Sequence, residues 1–275
     1  MTTSVMESGL DRKNEEIRAH WEDVAVNLVD QDGLKRTIRD HNLQEALEEA
    51  MLSHMKPGDR LLDVGSGDGS STAIFARKTQ GPVVALDYVE GFCDLTRQNL
   101  AAVGAKDVTV VQGDARQLDT VLKGTEPVDV ALSIRCLINF PTHEEQFSVA
   151  EKTLDFVKPG GLYMLSEGWA ECWDALDAMR VRCGLEKMHL VHHNVLMNKA
   201  ELIERLAPKA ELVAEHSLGF YTFLSRVFQP LVVAPESPRH MHPINVTAKQ
   251  LSLLGISPAE FDALGYPGVC VFRKK

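Results

Sequence analysis

A chain of 275 residues, 44% of them hydrophobic, supplies a core for one large domain or for one domain carrying an insertion. A formal net charge of −10 without any basic run argues against nucleic acid as a partner, because phosphate binding relies on clustered Lys and Arg. Apolar runs of only a few residues are too short to span a bilayer, and the polar stretch 1–14 has no signal-peptide core, so a cytoplasmic protein with no membrane partner is expected.

Residues 1–56 are charged and mostly helical, with helices expected over 15–29 and 43–55. From Pro57 onward short β-branched runs alternate with helical stretches. Residues 60–64 form a strand entering a glycine turn. Residues 70–79 form a helix, capped by Ser70 or Ser71 and stopped at Gly81-Pro82. Strands follow over 82–87, 108–111 and 128–133, with a helix over 90–103. Thr142 and Glu145 make a capping-box pattern opening a helix that buries Phe147, Ala150, Leu154 and Val157 and ends at 158–161. A fifth strand covers 162–166. Pro230, Pro235, Pro238, Pro243 and Pro258 break up 221–265, which is placed as an insertion before a last strand over 268–272. The pattern predicts a doubly wound, Rossmann-like α/β fold: a seven-stranded, mostly parallel sheet with an N-terminal helical cap. In domain terms, 1–56 is a cap or lid and 57–275 the main domain, with 221–265 on the substrate side.

Ligands of such sheets bind beyond the carboxyl ends of the strands, beside the point where strand order reverses. The segment there is Asp63-Val64-Gly65-Ser66-Gly67-Asp68-Gly69. Its glycines let the backbone turn sharply and approach a ligand closely. A phosphate-cradling P-loop needs a Lys, and the loop has none. A dinucleotide fingerprint needs a third glycine where Ser70 stands, since the glycines run GxGxG. S-adenosylmethionine (SAM) carries no phosphate; Asp63 suits its ammonium and Asp87, 24 residues on, its ribose hydroxyls. An acid at Asp87 also occurs in NAD proteins, so that position alone does not decide.

Taken together, these segments resemble class I SAM-dependent methyltransferases, and 133–140, 166–168, 192–194 and the stretch from 223 to 245 resemble bacterial small-molecule enzymes of that class. Residues 61–69 resemble the first motif, Ala85-Leu86-Asp87 the second, Gly113-Asp114-Ala115 the adenine-edge motif, and 156–161 the turn before strand five. The class-level resemblance covers about 57–168. It implies a cofactor site of Asp63, Gly65, Ser66, Gly67, Gly69, Asp87, Tyr88, Asp114, Ala115, Ser133 and Arg135, with Arg39 of the lid available to the cofactor carboxylate. Within it, Asp114 would bond the adenine amino group. Gly67→Val is expected to abolish cofactor binding.

The acceptor side is less specific. Residues 133–141 lack the Asn/Asp-Pro-Pro-Tyr/Phe pattern of many methyltransferases acting on DNA bases or glutamine amides, which favours a small molecule. Glu167, His192 and His193 are the candidate bases. Asn139, Asn194, Tyr221 and Arg226 are candidate substrate contacts. Glu167 and the acidic balance favour a cationic or amine-bearing acceptor. No metal is expected, since adjacent histidines converge poorly on one ion. Five widely spaced cysteines without a CxxC pair indicate no disulfide framework and a reducing compartment. The expected activity is methyl transfer from SAM to an oxygen or nitrogen of a metabolite, by a monomer or homodimer. An NAD-dependent oxidoreductase and a non-catalytic SAM-binding regulator are the alternatives.

Overall fold

The computed structural model describes residues 2–28 and 37–275. Two N-terminal helices, α1 (Thr2–Val26) and α2 (His41–Leu52), precede the sheet. α1 extends the expected 15–29 helix toward the N-terminus. Then come β1 (Leu61–Val64), α3 (Ser70–Thr79), β2 (Val83–Asp87), α4 (Glu90–Ala102) and β3 (Val108–Gln112). They are followed by the short α5 (Leu118–Val121), β4 (Val128–Ile134), α6 (His143–Asp155) and β5 (Val157–Glu167). The remainder holds α7 (Ala170–Arg182), α8 (Lys199–Leu206), β6 (Ala210–His216), α9 (Gly219–Phe223), α10 (Gln229–Val233), α11 (Pro243–Leu253) and β7 (Gly268–Lys274).

The seven strands lie in the order β3-β2-β1-β4-β5-β7-β6, all parallel except β7, which pairs antiparallel with β5 and β6. Every residue of β1 and β2 is buried, which is why they are aliphatic apart from Asp63 and Asp87. Strand order reverses between β1 and β4, so a crevice opens at their carboxyl ends. One core cluster, with Leu62, Val64, Phe147, Tyr163 and Trp169, covers one face; a second, with Leu61, Phe75, Leu132, Tyr221 and Val271, covers the other. Each large apolar side chain so buried stabilises the fold by roughly 1.5–3 kcal/mol.

Three local expectations change. The cap of α3 is Gly69, at φ +73°, while the Asp68 side chain accepts from the Ser70 amide at 2.8 Å. Neither Ser70 nor Ser71 is the cap, because a side chain at position 69 would meet Thr96 Cα at 2.5 Å, where α4 passes. Val157 belongs to β5 and not to α6: it pairs with Val128, and the 158–161 turn bulges out before Leu162 pairs with Val130. The proline-rich insertion is largely helical, broken where proline demands. Pro230 and Pro243 sit in the first turns of α10 and α11, where a missing amide is harmless.

Candidate active site

The glycine loop turns under Asp63 and Asp87. Gly65, Gly67 and Gly69 all have positive φ, which favours residues without a Cβ. A Cβ at Gly65 would lie 2.7 Å from Cys136 Cβ, whereas one at Gly67 would meet only Thr37, at 3.6 Å. The tight approach is therefore at Gly65. At Gly67 the space toward the cleft is open, apart from Thr37. Ser66 Oγ lies 3.2 Å from Thr96 Oγ1, which also donates to the Gly67 carbonyl.

Asp63 is 2% exposed and accepts from Thr72 Oγ1 at 2.5 Å. Asp87 accepts from the Gly67 and Val89 amides, each at 2.9 Å. Burial raises both carboxyls from 3.8 to about 6, and neighbouring carboxylates add to it: Asp87 and Asp68 act on Asp63, and Asp68 acts on Asp87. Asp68, which sequence reasoning passed over, also accepts from the Thr37 amide at 2.6 Å. Its place inside the loop was the available signal. Asp114 caps the turn 115–117 and is bridged by Arg116 at 2.6 Å, so it is engaged before any adenine arrives; Ala115 beside it is buried.

At the end of β4, Arg135 takes a left-handed φ of +50° and its amide donates to the Ser166 carbonyl. Glu167 is fully buried and accepts the amides of Cys136, Leu137 and Ile138 at 3.1, 3.0 and 3.3 Å. Burial pushes it up to about 7 against those bonds. Both of its oxygens clamp the 136–138 turn, a structural role beside the one expected of it as a base. Ser133 is likewise buried, with its Oγ 3.2 Å from Tyr163 Oη.

α1 roofs this edge. Trp21 Nε1 donates to Asn139 Oδ1 at 3.2 Å, and Trp21 and Tyr88 pack with Leu28, Val89 and Phe92. The His20 and His193 rings lie 4.4 Å apart and His192 flanks His193 at 5.2 Å. His193 is 4% exposed, its Nδ1 has no hydrogen-bond partner, and burial together with His20, His192 and Arg135 lowers it to about 4. Asn194 next to it is buried. Arg39 is exposed. Of the expected lid, residues 29–36, which include the charged Asp32 and Arg36, lie outside the described residues.

Two expected substrate contacts have other work. Tyr221 is fully buried and donates to Asp40 Oδ1 at 2.7 Å, and Arg226 pairs with Asp40 Oδ2 at 2.5 Å. Tyr221 therefore ties α2 to the insertion and does not line a pocket, whereas Arg226 also borders two cavities of about 430 and 400 Å³. Arg180, in the last turn of α7, borders both as well and carried no sequence signal.

A glycine cradle closed against Cys136, with three carboxylates and no Lys or Arg in the loop, suits a ligand with positive charge and hydroxyls and repels a pyrophosphate. That donor set fits SAM. Among the described residues no group of three His, Cys, Asp or Glu side chains is placed to hold a metal. The sheet order and this site define the class I methyltransferase architecture.

Comparison with known proteins agrees. Residues 61–161 match the family model described as a methyltransferase domain. The chain is 26% identical over 125 residues to protein-L-isoaspartate O-methyltransferase of Pyrococcus horikoshii, covering 46% of this chain and 51% of that protein. It is 30% identical over 119 residues to demethylmenaquinone methyltransferase of Symbiobacterium thermophilum, covering 42% and 45%. The chain thus spans about half the length of these curated relatives. Phosphoethanolamine N-methyltransferase 1 of Haemonchus contortus, solved with phosphoethanolamine and S-adenosylhomocysteine, aligns with a TM-score of 0.60 at 12% identity, over 96% of this chain and 49% of that one. At that identity the likeness shows the fold. Residues 61–161 therefore resemble a methyltransferase domain in sequence, and the chain shares the fold of these enzymes.

Proposed function

We propose that the protein transfers a methyl group from SAM to an oxygen or nitrogen of a small metabolite, held between the α1 roof and the carboxyl ends of β4 and β5. The observation that carries this is the phosphate-excluding cradle of Gly65, Gly67, Asp63 and Asp87 beneath α1. In this proposal residues 1–56 act as the lid, 57–275 as the transferase domain, and 221–265 as the substrate side. A roofed cleft favours a small acceptor over a folded protein. Five free thiols support a reducing, cytoplasmic setting.

SAM, when bound, supplies an electrophilic methyl whose C–S bonding pair stays on sulfur as the acceptor lone pair attacks. The protein's part is orientation and exclusion of water. Each Asp87 oxygen accepts one amide and keeps a second lone pair for a ribose hydroxyl. Asp114 and Ala115 border the adenine, and Asn139 links roof and floor through Trp21. His193, neutral at pH 7 and unpartnered at Nδ1, accepts the acceptor's O–H or N–H and so aims its lone pair. Calorimetry with SAM, S-adenosylhomocysteine and NADH, followed by transfer of labelled methyl to a metabolite panel, tests this. SAM binding with a methylated small product is expected. NADH binding without SAM binding would overturn it, and SAM binding with no product would point to a regulator instead.

A further inference from the structure

The net charge of −10 conceals a local inversion beside the methyl-donor cleft. The cavity of about 400 Å³ is lined by Arg135, Arg180, Lys187 and Arg226, with Trp173 and Tyr266 as its aromatic walls, and no carboxylate lines it. That volume lies in the range of metabolite-sized sites. The second cavity, of about 430 Å³, shares Arg180 and Arg226 with it and adds Arg239; Glu186 is its acid.

Of these cations only Arg226 has a carboxylate in contact among the described residues, Asp40. Among the described residues, Arg135, Arg180, Lys187 and Arg239 form no ion pair. Arg180 donates to two backbone carbonyls, those of Glu186 and Arg226, which fix its guanidinium without cancelling its charge. The facing carboxylates are already held. Asp40 takes Arg226, Tyr221 and the Leu43 amide; Asp177 takes the Met188 amide; Glu167 takes three amides. Burial disfavours the charge on Arg180, nearby Asp177 favours it and Arg226 disfavours it, so an anion between the two arginines would add a second favourable partner.

Position links the cavity to the chemistry. Arg135 lines it, and the next residue, Cys136, is the one a Cβ at Gly65 would strike. Arg135 also acts electrostatically on His193. We propose that the acceptor is an anionic metabolite whose carboxylate or phosphate docks between Arg135, Arg180 and Arg226, leaving its acceptor atom toward His193 and the glycine loop. Planar guanidinium forks suit both anions through paired N–H donors. This rests on the methyltransferase function proposed above and reverses the expected preference for a cationic acceptor.

The test is calorimetric titration of inorganic phosphate and of malonate into the full chain saturated with S-adenosylhomocysteine, for wild type, Arg180→Gln, Lys187→Gln and, as a control far from the cavity, Lys123→Gln. Expected is salt-sensitive anion binding by wild type and Lys123→Gln, weakened about tenfold in Arg180→Gln and less in Lys187→Gln, with S-adenosylhomocysteine affinity unchanged throughout. Lys187 is exposed, so its variant reports even if Arg180→Gln fails to fold. Tighter phosphate than malonate assigns a phosphorylated acceptor; the reverse assigns a carboxylate. Anion binding that is absent, or equal in wild type and in every cavity variant that folds, overturns the proposal. Failure of S-adenosylhomocysteine to bind wild type would instead overturn the methyltransferase function and is read separately.

Discussion

SAM affinity should rise with pH through the acidic range. In the free protein Asp63 and Asp87 each sit at about 6, raised chiefly by burial. A cationic ligand needs them ionised and lowers both on binding. One pH unit below 6, such a group is about nine-tenths protonated, so ionising it costs about 1.4 kcal/mol, or about tenfold in affinity. The two acids interact with each other and with Asp68, so they titrate as a set. The expected loss between pH 7.5 and pH 5 is thus between about tenfold and about a hundredfold. Stability runs the opposite way in the free protein. Because these folded-state values lie above the ordinary 3.8, each acid's stabilising proton is present below that value and is lost as pH rises toward about 6. SAM should therefore raise Tm more at pH 7 than at pH 5. Calorimetry in two buffers of different ionisation enthalpy counts the protons released. An affinity that is flat from pH 5 to 7.5, with no proton release, would refute the account.

Gly65→Ala should lower Tm and weaken SAM binding more than Gly67→Ala. Both pay the left-handed backbone penalty of about 1–2 kcal/mol, but only the first drives a Cβ into Cys136. Equal effects in thermal unfolding and calorimetry would contradict that ordering. Glu167→Gln keeps one acceptor oxygen but turns an amide NH₂ toward backbone donors, so a loss of about 1–3 kcal/mol in stability is expected. Denaturant unfolding measures it. A stable variant with reduced kcat alone would favour Glu167 as a base.

The sequence was readable wherever burial is two-sided or a turn needs special backbone. β1 and β2 announce themselves as short aliphatic runs, each carrying one acid, and α3 was placed residue for residue. β6 was harder: Glu211 and Glu215 alternate with partly buried neighbours on an edge strand, a weak pattern beside the helical stretches around it. Val157 continues the spacing of α6, so only its pairing with Val128 assigns it to β5. The loop residues were legible because their chemistry is local. Tyr221 and Arg226 were not, because the partner that defines them, Asp40, lies 181 and 186 residues away in the chain. Arg180 sits in a Met-Arg-Val-Arg stretch that resembles a solvated helix face, and only the fold turns it toward a cavity.

Net charge therefore misleads at the scale of a site. Acid gathers at the loop that would hold a sulfonium, and base gathers one loop away, where an anion would lie. One stretch of chain touches both: the Thr37 amide bonds Asp68 in the loop, and Asp40, three residues on, neutralises Arg226 at the cavity wall. Buried Asp40 is held well below the usual carboxylate range by His240, Arg226 and Tyr221, although desolvation opposes them, so it stays charged wherever the protein is folded near neutrality. With Arg226 so paired, the uncompensated charge in the 400 Å³ cavity belongs to Arg135, Arg180 and Lys187. Of these, Arg135 follows β4 directly and stands nearest in sequence to the Cys136 that closes on Gly65, so the anion and the methyl donor would meet across a single turn.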